Sequence, residues 1–430
     1  MNHIEANELI NHIGETIFIH GSVYKIRVMS NFAFVLLRTK RDIVQCIFSE
    51  DFSKFKMDTI KENMFVIVEG YVIKEDRSKV GYEVRLIDFE NLSHSTEEFP
   101  VVVNNKEVDL SLNNLLNYRV ITLRNSKERA IFKIQEGICR GFREFLYKNN
   151  FTEIHSPKIV FSGAEGGADI FKLDYFGREA YLTQSPQFYK QMMVGVFERV
   201  FEIAPVYRAE KHDTNRHINE YTSVDLEMGF IESLYDIMEL ETNMLKSAFE
   251  FLKNEYDKEL NLLDLSIPKI IEIPSIKFLD AKELISKTYK REITDFYDFE
   301  PEEEKLICEI IKKETGSEFV FVTHYKSEKR PFYTQDSKED KSLTNSFDLL
   351  FRGMEVTTGG QRIHDYEEQI EKMISLGMNV EFFESYLMAH KYGLPPHGGL
   401  GLERLTMMLL GFNNVRRTTL FPRDTNRLEP

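Results

Sequence analysis

Between Asp348 and Arg362 the chain reads Asp-Leu-Leu-Phe-Arg-Gly-Met-Glu-Val-Thr-Thr-Gly-Gly-Gln-Arg, which gathers two carboxylates, adjacent threonines, a diglycine and an arginine. Hard oxygen donors of this kind suit Mg²⁺, which binds through one or two carboxylates together with substrate phosphates. Asp348 and Glu355 fall on opposite faces of an unbroken strand, and a bulge at Gly353 is expected to bring them to one side. Gly359 and Gly360 would let a ligand approach the backbone, and Arg362 would fork onto a carboxylate or phosphate. A structural strand ending in a glycine turn explains the same letters.

Two further runs carry chemistry. Val200 to Arg208 and Tyr221 to Phe230 read as an antiparallel pair around a polar loop, Ala209 to Glu220. In the second strand Val224, Leu226, Met228 and Phe230 share one face, leaving Tyr221, Ser223, Asp225 and Glu227 on the other. The loop adds Arg208, Glu210, His212, Arg216 and His217, although a solvated polar face would read the same way. Near the C-terminus, Pro395-Pro-His-Gly-Gly-Leu-Gly-Leu-Glu-Arg404 opens an apolar helix expected over Leu402 to Leu410. An arginine in the first turn opposes the helix dipole unless a polyphosphate is bound there. No GxxxxGK[ST] occurs and no GxGxxG follows a strand, which argues against an ordinary P-loop or Rossmann enzyme.

The elements that must position these groups are legible in part. Asn125, with Glu128 three residues on, caps a helix whose Ile131, Ile134, Ile138, Phe142 and Phe145 recur on one face. A strand from Phe151 to His155 then stops at Pro157. Residues 233–290 are helical in pattern, and the acidic stretch 292–306 reads as solvated surface. Ahead of all this, Thr16 to His20, Phe32 to Leu37, Asp42 to Phe48, Met64 to Val72 and Gly81 to Ile87 are short β-rich runs, which favours a five-stranded barrel. Residues 16–41 hold Lys25, Arg27, Arg38, Lys40 and Arg41 and no acid, with Phe32 and Phe34 alternating among them. Rings for bases and cations for phosphates are what single-stranded nucleic acid requires, unless the phenylalanines belong to the core. Residues 91–117 read as a hinge between the two parts.

Composition bounds the rest. The 430 residues are 42% hydrophobic and 29% charged, enough apolar mass for large cores and unlike a disordered chain. Acids outnumber bases 70 to 55, so the net charge of −15 disfavours bulk electrostatic coating of nucleic acid or anionic membrane. Cys46, Cys139 and Cys308 are dispersed, suggesting neither disulfides nor a zinc site. The first ten residues lack the pattern of a secretory signal, so cytoplasm is the default expectation.

Taken together, these residues resemble the aspartyl branch of the class II aminoacyl-tRNA synthetases, in its compact archaeal and eukaryotic form. Arg208-Ala-Glu210 with the following strand looks like motif 2, and Gly399-Leu-Gly-Leu-Glu-Arg404 like motif 3. The capped helix leading to Pro157 looks like motif 1, and Gln184-Ser-Pro-Gln-Phe-Tyr-Lys190 is similar to the branch's own signature. The resemblance implies an α+β fold: an N-terminal OB-fold anticodon-binding domain over 1–100, a linker over 101–124, and a catalytic domain over 125–430 built on a six-stranded antiparallel sheet flanked by helices. It also implies a homodimer formed through motif 1.

Carried over residue by residue, the resemblance makes Arg208, Arg362 and Arg404 catalytic. Arg208 would hold the ATP α-phosphate, Glu210 and Tyr221 the adenine, and Arg216 and Arg404 the outer phosphates beside His217. Glu355 and Thr358 match the Mg²⁺ positions. Glu165, Ser185, Gln187, Asp225 and Thr358 would meet the amino acid, whose side-chain carboxylate is clamped by Lys190 and Arg362. In the small domain Arg27, Phe34, Gln45 and Lys79 match anticodon positions. The implied reaction joins L-aspartate to the 3′ end of tRNA-Asp through an aspartyl-adenylate. Lys79 favours an enzyme restricted to tRNA-Asp, against one that also charges tRNA-Asn, while Ser22 and Tyr24, where relatives often place aromatics near the first barrel strands, weigh the other way. The two cations argue against an asparaginyl enzyme, because asparagine would leave them without a counter-ion. The intact motif arginines argue against a catalytically dead RNA-binding relative, and the basic aromatic barrel against a tRNA-independent amide ligase.

Overall fold

The computed structural model describes residues 3–40, 42–78, 80–161, 170–211 and 214–429. Of the positions singled out above, Arg41, Lys79, Glu165 and His212 lie outside the described residues. The chain divides into two compact units, Met1–Asp109 and Leu110–Pro430.

In the first unit five strands close a barrel in the order β1-β2-β3-β5-β4: β1 (Thr16–Val28), β2 (Ala33–Arg38), β3 (Ile43–Phe48), β4 (Phe65–Lys74) and β5 (Tyr82–Ser93). Strict alternation drives this closure. Ala33, Val35 and Leu37 of β2 and Val44, Cys46 and Phe48 of β3 are buried, so their neighbours in sequence point outward. β1 is far longer than its apolar run. Its first half pairs with β4 and its second half with β2, and the polar residues Ser22, Lys25 and Arg27 in that second half conceal a strand.

The second unit opens on a short helix, Leu112–Asn117, and is organised by one large sheet. Its strands in chain order are β6 (Thr152–Glu153), then, after a small separate sheet of β7 (Ile159–Val160), β8 (Lys172–Tyr175) and β9 (Arg178–Leu182), the run β10 (Arg199–Tyr207), β11 (Glu220–Gly229), β12 (Ser275–Lys277), β13 (Phe319–Thr323), β14 (Ser346–Phe351), β15 (Met354–Gln361) and β16 (His397–Leu402). The large sheet runs β12-β13-β14-β15-β16-β11-β10-β6. It is therefore eight-stranded and mixed, which corrects the six-stranded antiparallel expectation. The six central strands pair antiparallel, while β12 and β6 add to the edges in parallel. β6 lies within the strand expected from Phe151 to His155, whereas β12, at three residues, is too short for any alternation to show.

One face of the sheet packs on two helices, Ser126–Lys148 and Leu234–Glu255. Asn125 starts the first as its spacing demands, its side chain accepting from the Lys127 and Glu128 backbone amides. Ile134, Phe142, Leu245 and Phe249 meet Leu226, Phe347 and Leu400 of the sheet in one continuous core. Truncating a fully buried member such as Leu245 to alanine would cost ~2–5 kcal/mol.

Three local expectations are corrected. Residues 233–290 are not continuously helical: residues 263–277 lie outside helices and contain β12. The glycine run before Arg404 is strand β16 rather than a loop, so the helix is only Leu405–Leu409 and Leu402 belongs to the sheet. The acidic stretch is also not all solvated surface. It opens the helix Pro301–Thr315, where Glu303 is buried and bonded to Lys282 at 2.6 Å. No helix among the described residues is long and apolar enough to cross a membrane.

Candidate active site

The face of the sheet opposite the two long helices carries a cavity of about 380 Å³. A larger one of about 650 Å³ shares Arg208, His217, Tyr221, Glu403 and Arg404 with it and extends to Glu210 and Arg216.

At one end stand four buried charges. Lys190 projects from the helix Gln187–Phe197, Asp225 and Glu227 from β11, and Arg362 from the end of β15. Lys190 Nζ donates to Asp225 Oδ1 and to the Leu400 carbonyl, both at 2.9 Å, and lies 3.7 Å from Glu227 Oε2. Arg362 Nε donates to Glu227 Oε1 at 2.9 Å and its Nη2 to the Gly399 carbonyl at 3.0 Å. Two cations and two anions thus alternate with no net charge, all at most 6% exposed. Burial pulls the Arg362 pKa down, but Glu227, Tyr333 and Tyr386 together more than restore it. Glycine at 399 is required: a Cβ there would lie 2.2 Å from Glu227 Oε2. Ser185 and Ser223 hydroxyls donate to the two oxygens of Asp225, at 3.3 and 2.7 Å. Gln187 is also buried here, and among the described residues its Nε2 has no hydrogen-bond partner.

Beside this quartet lies the β14–β15 hairpin. Arg352 and Gly353, at φ 50° and 88°, form its two-residue turn, so Gly353 is not the bulge. The register shifts instead where Leu349 faces Thr357 and Leu350 faces Glu355, leaving Val356 as the extra residue. That bulge brings Glu355 and Thr358, three apart, to one side, and the Thr358 hydroxyl donates to Glu355 Oε1 at 2.8 Å. Asp348 sits directly across the hairpin from Thr358 and accepts from Arg330 Nη2 at 2.8 Å. The two acids therefore converge because they occupy adjacent strands. Burial and then the charge of Asp348 push the Glu355 carboxyl up to about 7, against the pull of Arg404. Two crowded carboxylates and a hydroxyl are a donor set for a hard cation. Among the described residues no three His, Cys, Asp or Glu side chains gather to hold a metal. A cation here would draw its remaining ligands from a substrate.

The other end is rich in arginine. Arg208 follows β10, and Asn219 fixes its backbone from both sides, accepting from the Arg208 amide at 2.9 Å and donating to its carbonyl at 2.8 Å. The Arg208 guanidinium stands 6.0 Å over the Tyr221 ring. Arg404 is the residue that caps the helix Leu405–Leu409, held at φ 55°, a conformation uncommon outside glycine and often found where a site constrains the chain. It donates to the Glu355 carbonyl at 3.2 Å and contacts Glu403. Burial would raise the Glu403 carboxyl, but Arg404, Arg208 and the Tyr221 hydroxyl bring it below the ordinary value. Arg216 Nη1 donates to Glu304 Oε2 at 2.8 Å. His217 contacts the Thr214 hydroxyl at 2.6 Å, and burial followed by Arg404 lowers its pKa, so it is neutral near pH 7. Glu210 lines the outer cavity, its carbonyl accepting from Asn219.

Sequence reasoning passed over Arg330, Tyr333, Glu304 and Glu403. Glu403 stood inside a quoted motif, beside Arg404, and was legible. Arg330 lies eighteen residues before its partner Asp348 with no local signal.

In the first unit Arg27, Phe34 and Gln45 lie on the barrel's outer face, whereas Tyr24 is buried. Arg27, Phe34, Ile47 and Arg85 are successive cross-strand neighbours over β1, β2, β3 and β5. Phe32 and Phe34 meet edge to face at 5.1 Å and lie outside the core. Gln45 is exposed one pair along, its Nε2 donating to Glu83 Oε1 at 2.9 Å. Four strands thus present cations at either end of an apolar strip made by Phe34 and Ile47.

Comparison with known proteins places this geometry. Residues 111–425 match the family described as tRNA synthetases class II (D, K and N), and residues 17–92 match the OB-fold nucleic acid binding domain. The chain is 44% identical over 433 residues to the aspartate–tRNA(Asp/Asn) ligase of Deinococcus radiodurans, spanning 99% of this chain and 98% of that one. It is 40% identical over 428 residues to the aspartate–tRNA(Asp) ligase of Thermoplasma volcanium, spanning 98% and 97%. Its fold is similar to the crystal structure of asparaginyl-tRNA synthetase from Pyrococcus horikoshii complexed with asparaginyl-adenylate, with TM-score 0.91, 28% identity and full coverage of both chains. A chain with this sheet, these two converging sets of charges and an OB-fold barrel belongs to the class II tRNA synthetases of the D, K and N group.

Proposed function

We propose that this chain is an aspartate–tRNA ligase, which activates L-aspartate with ATP and transfers it to the 3′ end of tRNA-Asp. The observation that carries the reading is the pair Lys190 and Arg362, two donor-only cations converging in one buried end of a cavity whose other end holds Arg208 and Arg404. They receive the substrate's side-chain carboxylate, while Ser185, Gln187, Asp225 and Thr358 meet its ammonium end. Glu165, outside the described residues, is assigned to the same group. Arg208 binds the α-phosphate, Arg216 and Arg404 the outer phosphates with His217 beside them, and Glu210 and Tyr221 the adenine.

The substrate α-carboxylate attacks the α-phosphorus and pyrophosphate departs; a ribose hydroxyl of the tRNA terminus then attacks the carbonyl and AMP departs. Both partners of the first step are anionic, so arginines that cancel repulsion and fix the line of attack are the main requirement, and no nucleophilic side chain is needed. Mg²⁺ would be held by Glu355 and Thr358, with Asp348 opposite, and when bound it supplies further neutralisation of the phosphates. Arg27, Phe34 and Gln45, with Lys79 outside the described residues, take the anticodon. The active form is a cytoplasmic homodimer; light scattering that finds a particle of 50.6 kDa, the mass of one chain, would contradict the dimer.

Asparagine is refused for a different reason from the one its missing charge suggested. Lys190 and Arg362 already have Asp225 and Glu227 as counter-ions, so asparagine would not leave them bare. The selectivity left is geometric: a carboxylate offers acceptors on both oxygens to two donor-only groups, whereas an amide offers one. Pyrophosphate exchange driven by aspartate and not by asparagine is the expected result, and exchange with asparagine alone refutes the reading. Activity on tRNA-Asn as well is the alternative reading, supported by the Asp/Asn designation of the Deinococcus radiodurans relative and opposed by the Asp designation of the Thermoplasma volcanium one. Side-by-side charging of tRNA-Asp and tRNA-Asn decides it.

A further inference from the structure

Arg216 sits on the loop between β10 and β11. The C-terminal segment anchors that loop through other residues: Arg416 donates to the Thr214 carbonyl and Asn414 to the Asn215 side chain, both at 2.9 Å. The guanidinium itself is held from a different element, by Glu304 in the opening turn of the helix Pro301–Thr315. An acid in a first turn gains from the helix dipole while facing water, as its neighbour Glu302 does at 65% exposure. Glu304 is instead turned inward and only 12% exposed. Burial raises its proton affinity, Arg216 and then Arg404 oppose that, and Asp348 adds to it, so Glu304 feels both the outer arginines and the carboxylate hairpin.

We infer that Glu304 is a positioning residue for the outer phosphates of ATP: it fixes one edge of the Arg216 guanidinium and leaves the rest of the fork for the ligand. The inference rests on the assignment of Arg216 to those phosphates. A guanidinium carries five N–H donors in a rigid fork, and the contact with Glu304 uses Nη1. An arginine on a loop that had to be ordered by the incoming ATP would charge that ordering against affinity; one already held does so before binding. A carboxylate that merely occupied the place of a phosphate would have the opposite effect, since removing it would strengthen binding.

The test is equilibrium binding of ATP and of inorganic pyrophosphate, each with Mg²⁺, to the full chain and to Glu304→Ala, Glu304→Gln, Arg216→Ala and the Glu304→Ala/Arg216→Ala double variant. Glu304→Ala is expected to weaken both ligands about tenfold, with aspartate binding and the melting temperature unmoved. Glutamine, which keeps an acceptor oxygen, should recover most of the loss, and Glu304→Ala should add nothing once Arg216 is alanine. Unchanged or tighter binding of ATP and pyrophosphate by Glu304→Ala overturns the inference, as does an equal loss of aspartate binding. If Arg216→Ala alone leaves both affinities intact, the assignment of Arg216 fails instead.

Discussion

Two neighbouring parts of the catalytic cavity, the buried quartet and the β14–β15 hairpin beside it, handle charge in opposite ways. In the quartet Lys190, Arg362, Asp225 and Glu227 alternate in sign and each finds a partner within the protein. At the hairpin Asp348 and Glu355 are brought together with like sign, and Glu355 keeps its proton up to about pH 7. One part is finished before any ligand arrives, whereas the other is left in tension that a cation would relieve. The first suits recognition of a rigid, small substrate; the second suits a site that must take up and release a multiply charged one.

Breaking the balanced part should cost most. Glu227→Ala removes one member of a buried set and leaves Arg362 without its anion, which is expected to destabilise the fold by ~3–5 kcal/mol. Urea or thermal melts would show it, and a variant that melts like the parent would mean that the quartet is not energetically coupled. Arg208→Ala, by contrast, removes a cation aimed at a ligand. It should lower pyrophosphate exchange by ~10²–10³-fold, about 2.7–4 kcal/mol, with little change in melting. Persistent exchange would remove Arg208 from the phosphate site.

The strained part should respond with the reverse sign in stability. Folding raises the Glu355 carboxyl from 4.5 to about 7, so the folded state binds this proton more tightly than the unfolded chain does. No penalty falls below pH 4.5, and it grows as pH rises to about 7, reaching the order of 2–3 kcal/mol. Glu355→Gln should flatten that window and stabilise the free protein at pH 7 while impairing Mg²⁺-dependent exchange. A parent whose stability is level from pH 4.5 to 7 would show that Asp348 and Glu355 are not in tension.

The same contrast governs what was legible in the sequence. Arg208, Arg362 and Arg404 each sit in a dense local run that residue types and spacing single out, whereas Lys190 was singled out only through the resemblance carried by Gln184 to Lys190. The barrel was legible from period-two runs, apart from the polar half of β1. What escaped was set by tertiary pairing. The edge strand β12 borrows its hydrogen bonds from its neighbour β13, and Arg330 gains meaning only from a residue on another strand. Glu303 and Glu304 look like solvated acids until the helix turns them toward Lys282 and Arg216. The bulge fell at Val356 and not at Gly353 because glycine was needed for the turn.

The smallest effect belongs to a surface with neither pairing nor tension. Phe34 lies on the barrel's outer face between Arg27 and Ile47, its ring against Phe32, outside the barrel core. Removing it opens no cavity and strands no charge. Phe34→Ala should therefore leave melting and pyrophosphate exchange alone and weaken tRNA binding by ~1–3 kcal/mol, the worth of one stacked base. A filter-binding measurement beside an exchange assay separates the two. If tRNA affinity is unmoved, the anticodon loop does not stack on Phe34; if exchange falls as well, the barrel face influences the catalytic end and the independence of the two units is lost.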